Sequence, residues 1–386
     1  MENFVYSVPT RIYFGKGQIQ NLGTAVREWG GRALLVYGGG SIKKTGLYDT
    51  VMRLLKESGV AVTELSGVEP NPKITSVREG VRLCRENGVD VVVPVGGGST
   101  IDCAKVVAAG ACYGGDAWDL VIHPEKIGKV LPVVAVLTLA ATGTEMNGNA
   151  VISDRSKNDK FGTFSQNMKP KASILDPEYT FSVSRKQTAA GTADIMSHIF
   201  EAYFNNVPGA FTQSRIAEAL LKTCIHYGPV ALEQPENYEA RANLMWVSSL
   251  AINGLIGCGA PVGWTVHPME HELSAFYDIT HGVGLAILTP HWMKYVLNEN
   301  TVGKFVEYGV NVWGIDAGLD RFEIANRAIA ETAAFFKKLG IPATLREVGI
   351  GGENLEVMAR KSVACMGNGF VPLRAEDVLA IFRAAL

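Results

Sequence analysis

Residues 89–111 read VDVVVPVGGGSTIDCAKVVAAGA, and they decide the fold of the first half of the chain. The valine-rich run to Val95 reads as a strand, and Gly96-Gly97-Gly98-Ser99 breaks it. Helical sequence follows from Thr100 to Ala111. A strand that passes through a glycine turn straight into a helix is the front of a βαβ unit.

Working outward, the same alternation recurs. RALLVYG (32–38), VAVTELSG (60–67), LPVVAVLT (131–138) and KASILD (171–176) read as further strands. TGLYDTVMRLLKESG (45–59) and ITSVREGVRLCRENG (74–88) read as helices, with Gly46, Gly59 and Gly88 at turns or ends. This predicts an α/β domain around a mainly parallel sheet, without fixing the strand order. From about Ser184 the β signals fade. SRIAEALLKTCIHYG (214–228), YEARANLMWVSSLAING (238–254), DRFEIANRAIAETAAFFKKLG (320–340) and AEDVLAIFRAAL (375–386) all carry helical periods. A chain of 386 residues is long enough for two domains. The expected division is an α/β domain over 1–184 and an all-α domain over 185–386.

Composition excludes several function classes. A net charge of −2, with 47% hydrophobic and 19% charged residues, supplies no broad attraction for nucleic acid or acidic membranes. The six cysteines show neither CxxC pairs nor a disulfide-framework spacing. The opening MENFVYSVPTRIYFG has no basic leader or apolar signal core, and no apolar run approaches membrane-spanning length. A cytoplasmic enzyme acting on a small molecule, without nucleic-acid or membrane partners, is the expectation.

Asp194 and His198 stand four apart in TADIMSHIFEAYF, so one helix face presents a carboxylate and an imidazole. His267 and His281 follow in HPMEHELSAFYDITHG; with His271, three of the chain's seven histidines fall in this stretch. A carboxylate with three imidazoles suits Fe²⁺ or Zn²⁺ and not Mg²⁺ or Ca²⁺, which favour oxygen. Taken singly, Asp194 reads as a helix-dipole partner and His198 as a packed residue; the four together favour a metal.

Two glycine loops point to a dinucleotide. Gly38-Gly39-Gly40-Ser41 and Gly96-Gly97-Gly98-Ser99 both lead from strand to helix, where bare backbone N–H groups and the helix start favour phosphate. Each alone reads equally well as a plain turn, and neither is GxGxxG or a GxxxxGK[ST] phosphate loop. The polar stretch Thr138–Asn147, with Thr142 inside it, follows a strand and offers hydroxyls and amides to a cofactor, or simply caps a helix.

These motifs together resemble the iron-containing (group III) alcohol dehydrogenase family, on its butanol dehydrogenase and NADPH-dependent aldehyde reductase branch. The resemblance runs from Pro70-Asn71-Pro72 and GGGSTIDCAK through TAATGTEMN to GTADIMSHIFEAYF and HPMEHELSAFYDITHGVGLAILTP. It implies a Rossmann-like N-terminal domain followed by a helical domain. It implies Asp194, His198, His267 and His281 as metal ligands and His271 as a histidine near the nicotinamide. It also implies that Gly38, Gly39, Ser41, Asn71, Gly97, Gly98, Ser99, Asp102, Thr138, Thr142, Asn147, Lys160 and Tyr179 lie in or near cofactor-contacting segments. The implied reaction is reversible hydride transfer between a nicotinamide and a primary alcohol or aldehyde of a few carbons, in a homodimer. Iron is the first choice of metal, because it accepts more than four ligands readily, with zinc the competitor.

One departure bears on the coenzyme. NAD-using relatives commonly place an aspartate after the first strand, where this chain has Tyr37-Gly38-Gly39-Gly40-Ser41 followed by Lys43 and Lys44. Without that carboxylate a 2′-phosphate is not repelled, which predicts NADPH over NADH. Two other readings stay open. A glycerol dehydrogenase-like or 3-dehydroquinate synthase-like enzyme shares the general fold, but the synthase's phosphate-bearing substrate needs basic groups, and the metal-bearing segments hold no Lys or Arg. A non-catalytic metal- and nucleotide-binding protein is the third reading. Phe164, Trp246, Trp264 and Phe276 are candidates for an apolar pocket wall, or for ordinary core.

Overall fold

A computed structural model describes residues 1–367 and 369–386, in two compact units. One comprises Ser7–Val183 and Glu236–Ser249; the other comprises Met1–Tyr6, Ser184–Pro235 and Leu250–Leu386.

The first unit contains eight strands: β1 (Arg11–Phe14), β2 (Arg32–Tyr37), β3 (Ala61–Leu65), β4 (Val91–Gly96), β5 (Val134–Leu137), β6 (Asn149–Asp154), β7 (Asp159–Phe164) and β8 (Ala172–Leu175). Six form an all-parallel sheet in the order β1-β8-β5-β4-β2-β3, and β6 and β7 form a separate antiparallel pair. The five strands expected from sequence are β2, β3, β4, β5 and β8. The runs of β2, β4, β5 and β8 are apolar because both faces are covered, whereas β3, at the sheet's edge, buries only Leu65. Leu34, Val36 and Val92 enter one core with Val77, Cys103 and Val107, while Ala33, Leu35, Val91, Val93 and Val95 enter another with Val51 and Leu55. The sequence reading missed β1, a four-residue edge strand with no buried position, and the β6–β7 pair, whose second strand DKFGTF mixes charge, glycine and aromatics.

The strand order matters for the site. The chain passes from β2 outward to β3, then returns to place β4 on the other side of β2, so the direction of winding reverses between β2 and β4. Ligands of doubly wound sheets bind at the carboxyl ends of the strands flanking such a reversal. Tyr37 pairs with Val95, so the loops opening at Gly38 and Gly96 stand side by side there.

A buried ammonium stitches the next polar segment to the sheet. Lys105, on helix Gly98–Ala111, is fully buried; its Nζ donates to the Thr144 hydroxyl (2.6 Å) and to the carbonyls of Asn147 (2.7 Å) and Asn149 (2.9 Å). Asp102, three residues earlier on that helix, accepts from the Thr144 hydroxyl (2.6 Å) and the Val151 N–H (2.9 Å). Burial pushes Lys105 down to about 8 against the pull of Asp102 and Glu145, and burial pushes the Asp102 carboxyl up.

Residues 236–249 lie past the periodicity change at 184 but belong to this unit. Met245 joins the core of Ile101, Leu137 and Leu175, the Ser248 hydroxyl accepts from the Gly143 N–H, and the Ser249 hydroxyl donates to Glu145. The second unit is built of helices, with no strand among its described residues. Those that carry the site are Arg185–Tyr203, Val266–Tyr277 and His281–Val296.

Replacing Lys105 with methionine should leave the Asn147 and Asn149 carbonyls without their donor. The expected loss is about 2 kcal/mol, with a thermal midpoint lower by several degrees. An unchanged midpoint in a melting experiment would show that the ammonium does not hold this segment.

Candidate metal centre and cofactor loops

Helix Arg185–Tyr203 is capped by the Ser184 hydroxyl, which accepts from the Gln187 N–H, and every residue from Thr188 to Tyr203 is buried. Asp194 and His198 are therefore interior groups, 3% and 6% exposed. The His198 Nδ1 lies 3.6 Å from Asp194 Oδ1, the i, i+4 approach that the spacing predicts. His267 Nε2 reaches the same oxygen at 3.9 Å and His281 Nε2 at 3.8 Å. The ligating atoms of Asp194, His267 and His281 all fall within 4.8 Å of one another. His198 stands outside that tightest set; it joins through Asp194 and through its ring, stacked on His267 at 4.6 Å.

Two backbone features bring His281 to Asp194. Asp278, at φ 52°, ends helix Val266–Tyr277 in the left-handed region, and the next helix begins at His281. Gly282 then passes so close to helix Arg185–Tyr203 that a Cβ there would stand 2.0 Å from the Ala190 carbonyl oxygen. Any side chain at 282 would force these helices apart.

Two buried glutamates, passed over in the sequence reading, hold the imidazoles from behind. Glu201 accepts from the N–H groups of Thr265 (2.8 Å), Val266 (2.7 Å) and His267 (3.0 Å), and its Oε1 is 3.2 Å from His267 Nδ1. Glu270, fully buried, bonds His281 Nδ1 and the Ser274 hydroxyl. Glu201 was legible in principle: it lies three residues after His198 and seven after Asp194, on the same helix face. A lone glutamate in a helix reads by default as solvated, which is why neither was singled out.

The set fits a divalent transition metal on its own chemistry. His198 Nδ1 and His267 Nε2 are buried nitrogens without a hydrogen-bond partner among the described residues, and such atoms are rare unless something else satisfies them. Metal–ligand bonds of about 2.0–2.2 Å in a tetrahedral arrangement put ligand atoms about 3.3–3.6 Å apart. The separations from Asp194 Oδ1 run from 3.6 to 3.9 Å, wide enough to admit an ion. Burial first, then His267 and His281, hold His198 well below the ordinary imidazole value, so it presents a neutral, ligand-competent ring.

His271, half-buried, has its ring 5.6 Å from that of His281 and 6.4 Å from that of His267. Among the four aromatic candidates, Trp264 packs against the histidine cluster, with its ring 5.1 Å from His267 and 6.2 Å from His198. It adopts φ 38°, a strained conformation for a bulky residue. Trp246 instead packs edge-on to Phe14, Phe276 lies under Lys361, and Phe164 is exposed.

In the α/β unit, Gly38 and Gly39 follow β2, and Ser41 opens the short helix Ser41–Lys44. Gly97 caps helix Gly98–Ala111, whose first turn holds Gly98 and Ser99. A Cβ at Gly98 would stand 2.4 Å from the Thr142 hydroxyl oxygen, so this glycine is required by the packing of the Thr138–Asn147 stretch. Thr138 is half-buried at the end of β5 and donates its N–H to the Gly96 carbonyl (3.0 Å). Asn71, at φ 49°, turns the chain between Pro70 and Pro72, and the Pro72 carbonyl accepts from the Ser153 N–H.

The remaining residues are placed differently. Asp102 and Asn147 are directed inward: Asp102 bonds Thr144 and Val151, and the Asn147 amide donates to the Gly143 carbonyl while its oxygen accepts from the Asn149 N–H. Lys160 is buried on β7 opposite Ser153. Tyr179 packs against the core beneath the sheet, and burial pushes its phenol up to about 12. Beside the first glycine loop, the Tyr37 and Tyr48 hydroxyls donate to Glu64 on β3 at 2.7 and 2.8 Å, and the Lys43 ammonium lies over both rings.

Comparison with known proteins bears on these observations. The family model "Iron-containing alcohol dehydrogenase" matches residues 9–177, and "Fe-containing alcohol dehydrogenase family, C-terminal" matches 188–386. The chain is 58% identical to NADH-dependent butanol dehydrogenase A of Clostridium acetobutylicum, over 99% of both chains. It is 40% identical to the NADPH-dependent aldehyde reductase YqhD of Escherichia coli, over 94% of this chain and 93% of that one. The crystal structure of NADH-dependent butanol dehydrogenase A from Thermotoga maritima matches with a TM-score of 0.95 at 40% identity, covering 100% of this chain and 99% of that one.

Gly282→Ala should displace His281 from Asp194 and lose the bound metal on elemental analysis, as His267→Ala should by removing a ligand. Gly303→Ala is the control, since its Cβ would meet only Arg321 at an ordinary 3.6 Å. Full metal occupancy in Gly282→Ala would show that the helix approach is not what assembles the set.

Proposed function

The chain belongs to the iron-containing alcohol dehydrogenase family, and from that premise we propose that it reduces butanal-like aldehydes and oxidises the matching primary alcohols, using a metal in the Asp194 set. It is an alcohol and aldehyde oxidoreductase with a nicotinamide cofactor. The observation that carries the proposal is the convergence of His198, His267 and His281 on one buried carboxylate oxygen.

Asp194, His198, His267 and His281 would hold a divalent cation, iron first and zinc as competitor, which supplies Lewis acidity toward the substrate oxygen. The glycine loops at Gly38 and Gly97 present backbone N–H groups to a pyrophosphate, and the start of helix Gly98–Ala111 favours its charge. Aldehyde reduction consumes one hydride from the reduced nicotinamide and one proton. In this reading His271, beside the ligands without being one, holds that proton or orders the water that carries it. Trp264 walls the ligand side of an apolar pocket and sets the length of alkyl chain accepted. We also retain the homodimer: β1 ends the sheet, and its free edge is a surface that a second copy covers.

Two lines bear on the coenzyme, and they pull apart. The 58% relative is named NADH-dependent and the 40% relative NADPH-dependent. We retain NADPH as preferred on physical grounds. The loop after β2 has no carboxylate, both oxygens of nearby Glu64 are taken by tyrosine hydroxyls, and Lys43 stands exposed beside them.

The direct test follows absorbance at the nicotinamide band with butanal, after stripping the metal and restoring Fe²⁺ or Zn²⁺. Turnover is expected only with metal restored, and kcat/KM should be higher with NADPH. A metal-free enzyme that remains active would overturn the Lewis-acid reading, and a higher kcat/KM with NADH would overturn the coenzyme preference. His271→Ala should keep its metal and lose about a hundredfold in kcat; a full kcat would remove His271 from proton delivery.

A further inference from the structure

We infer that Glu201 and Glu270 are positioning residues that choose which ring nitrogen His267 and His281 offer to the metal. The inference rests on the reading that the Asp194 set holds a divalent cation.

The hydrogen-bond directions carry the argument. Glu201 Oε1 already takes the N–H groups of Val266 and His267, and Oε2 takes that of Thr265. An oxygen receiving two donors acts as an acceptor toward the ring as well, so the proton of neutral His267 sits on Nδ1. Its Nε2 then carries a lone pair directed to the side where Asp194 Oδ1 lies at 3.9 Å. Glu270 repeats the arrangement: Oε1 takes the Ser274 hydroxyl, Oε2 faces His281 Nδ1, and His281 Nε2 is left toward Asp194 at 3.8 Å. His267 Nε2 and His281 Nε2 thus both face Asp194 Oδ1, and a cation placed among them would take a lone pair from each.

Glu201 does a second job. The helix Val266–Tyr277 has no side-chain cap of its own at Thr265, and the Glu201 carboxylate takes the N–H groups around its start instead. The group that fixes the His267 tautomer therefore also fixes that residue's helix to the helix carrying Asp194 and His198. A shift of one relative to the other would break the bonds to Thr265, Val266 and His267 together.

The test uses full-length protein stripped of metal and titrated with Co²⁺ against a competing chelator. Co²⁺ affinity and the visible ligand-field spectrum are recorded, with the thermal midpoint of the metal-free form as the fold control. Glu270→Met removes the acceptor with a side chain of similar size, Glu270→Gln restores an uncharged acceptor, and Glu201→Gln keeps an oxygen for the backbone N–H groups while removing the charge. The expected result is Co²⁺ binding weaker by about 10–100-fold in Glu270→Met, with an altered spectrum, partial rescue in Glu270→Gln and an intermediate loss in Glu201→Gln. If Glu270→Met does not fold, Glu201→Gln decides alone. Wild-type affinity and spectrum in the folded variants, with Co²⁺ lost from His267→Ala, would overturn the inference while leaving the metal reading intact. Undiminished Co²⁺ binding by His267→Ala would overturn the metal reading itself, and this inference with it.

Discussion

A single buried carboxylate oxygen, Asp194 Oδ1, faces three imidazoles at 3.6 to 3.9 Å, and the helical unit is arranged around that convergence. Acceptors do not gather in a protein interior unaided, because burial penalises each and mutual repulsion penalises the set. The local structure overcomes this. The helix carrying Asp194 is buried along most of its length, Gly282 removes the Cβ that would keep His281 away, and Glu201 and Glu270 bond the Nδ1 atoms of His267 and His281. A carboxylate with three imidazoles is donor chemistry that suits a borderline transition metal better than a hard cation.

The α/β unit solves a comparable problem with a buried cation of its own. Lys105 gathers the Thr144 hydroxyl and the carbonyls of Asn147 and Asn149, while Asp102, on the same helix, takes Thr144 and Val151. The polar stretch after β5 is thereby held against the start of the glycine-opened helix Gly98–Ala111. Asp102 and Asn147, in segments that the family resemblance ties to the cofactor, do this internal work in the structure. A motif residue can serve a binding loop by shaping it as well as by touching what it binds.

Family membership fixes the reaction class, an alcohol and aldehyde oxidoreductase, and the residues give physical content to that class. His271 and Trp264 stand beside the Asp194 cluster: one is an imidazole next to the ring of His281, the other a bulky ring held at φ 38° against His267. The proposed preference for NADPH rests on subtler features, the missing acid after β2 and the lysine resting on Tyr37 and Tyr48.

By itself the sequence determined five strands of the sheet; four of them, β2, β4, β5 and β8, are covered on both faces and announce themselves as apolar runs. It also determined the Asp194–His198 pair, because an i, i+4 step is a local geometric fact. The edge strand Arg11–Phe14, with no buried position, and the Asn149–Phe164 hairpin, mixed in composition, escaped it. Only the tertiary structure decided that β4 returns beside β2, which sets the two glycine loops next to each other. Only it decided that residues 236–249 join the α/β unit, and that Glu201 and Glu270 stand behind His267 and His281. The physical reason is shared: periodicity records which face of an element is buried, while strand order and the partners of a buried carboxylate depend on contacts between segments far apart in the chain.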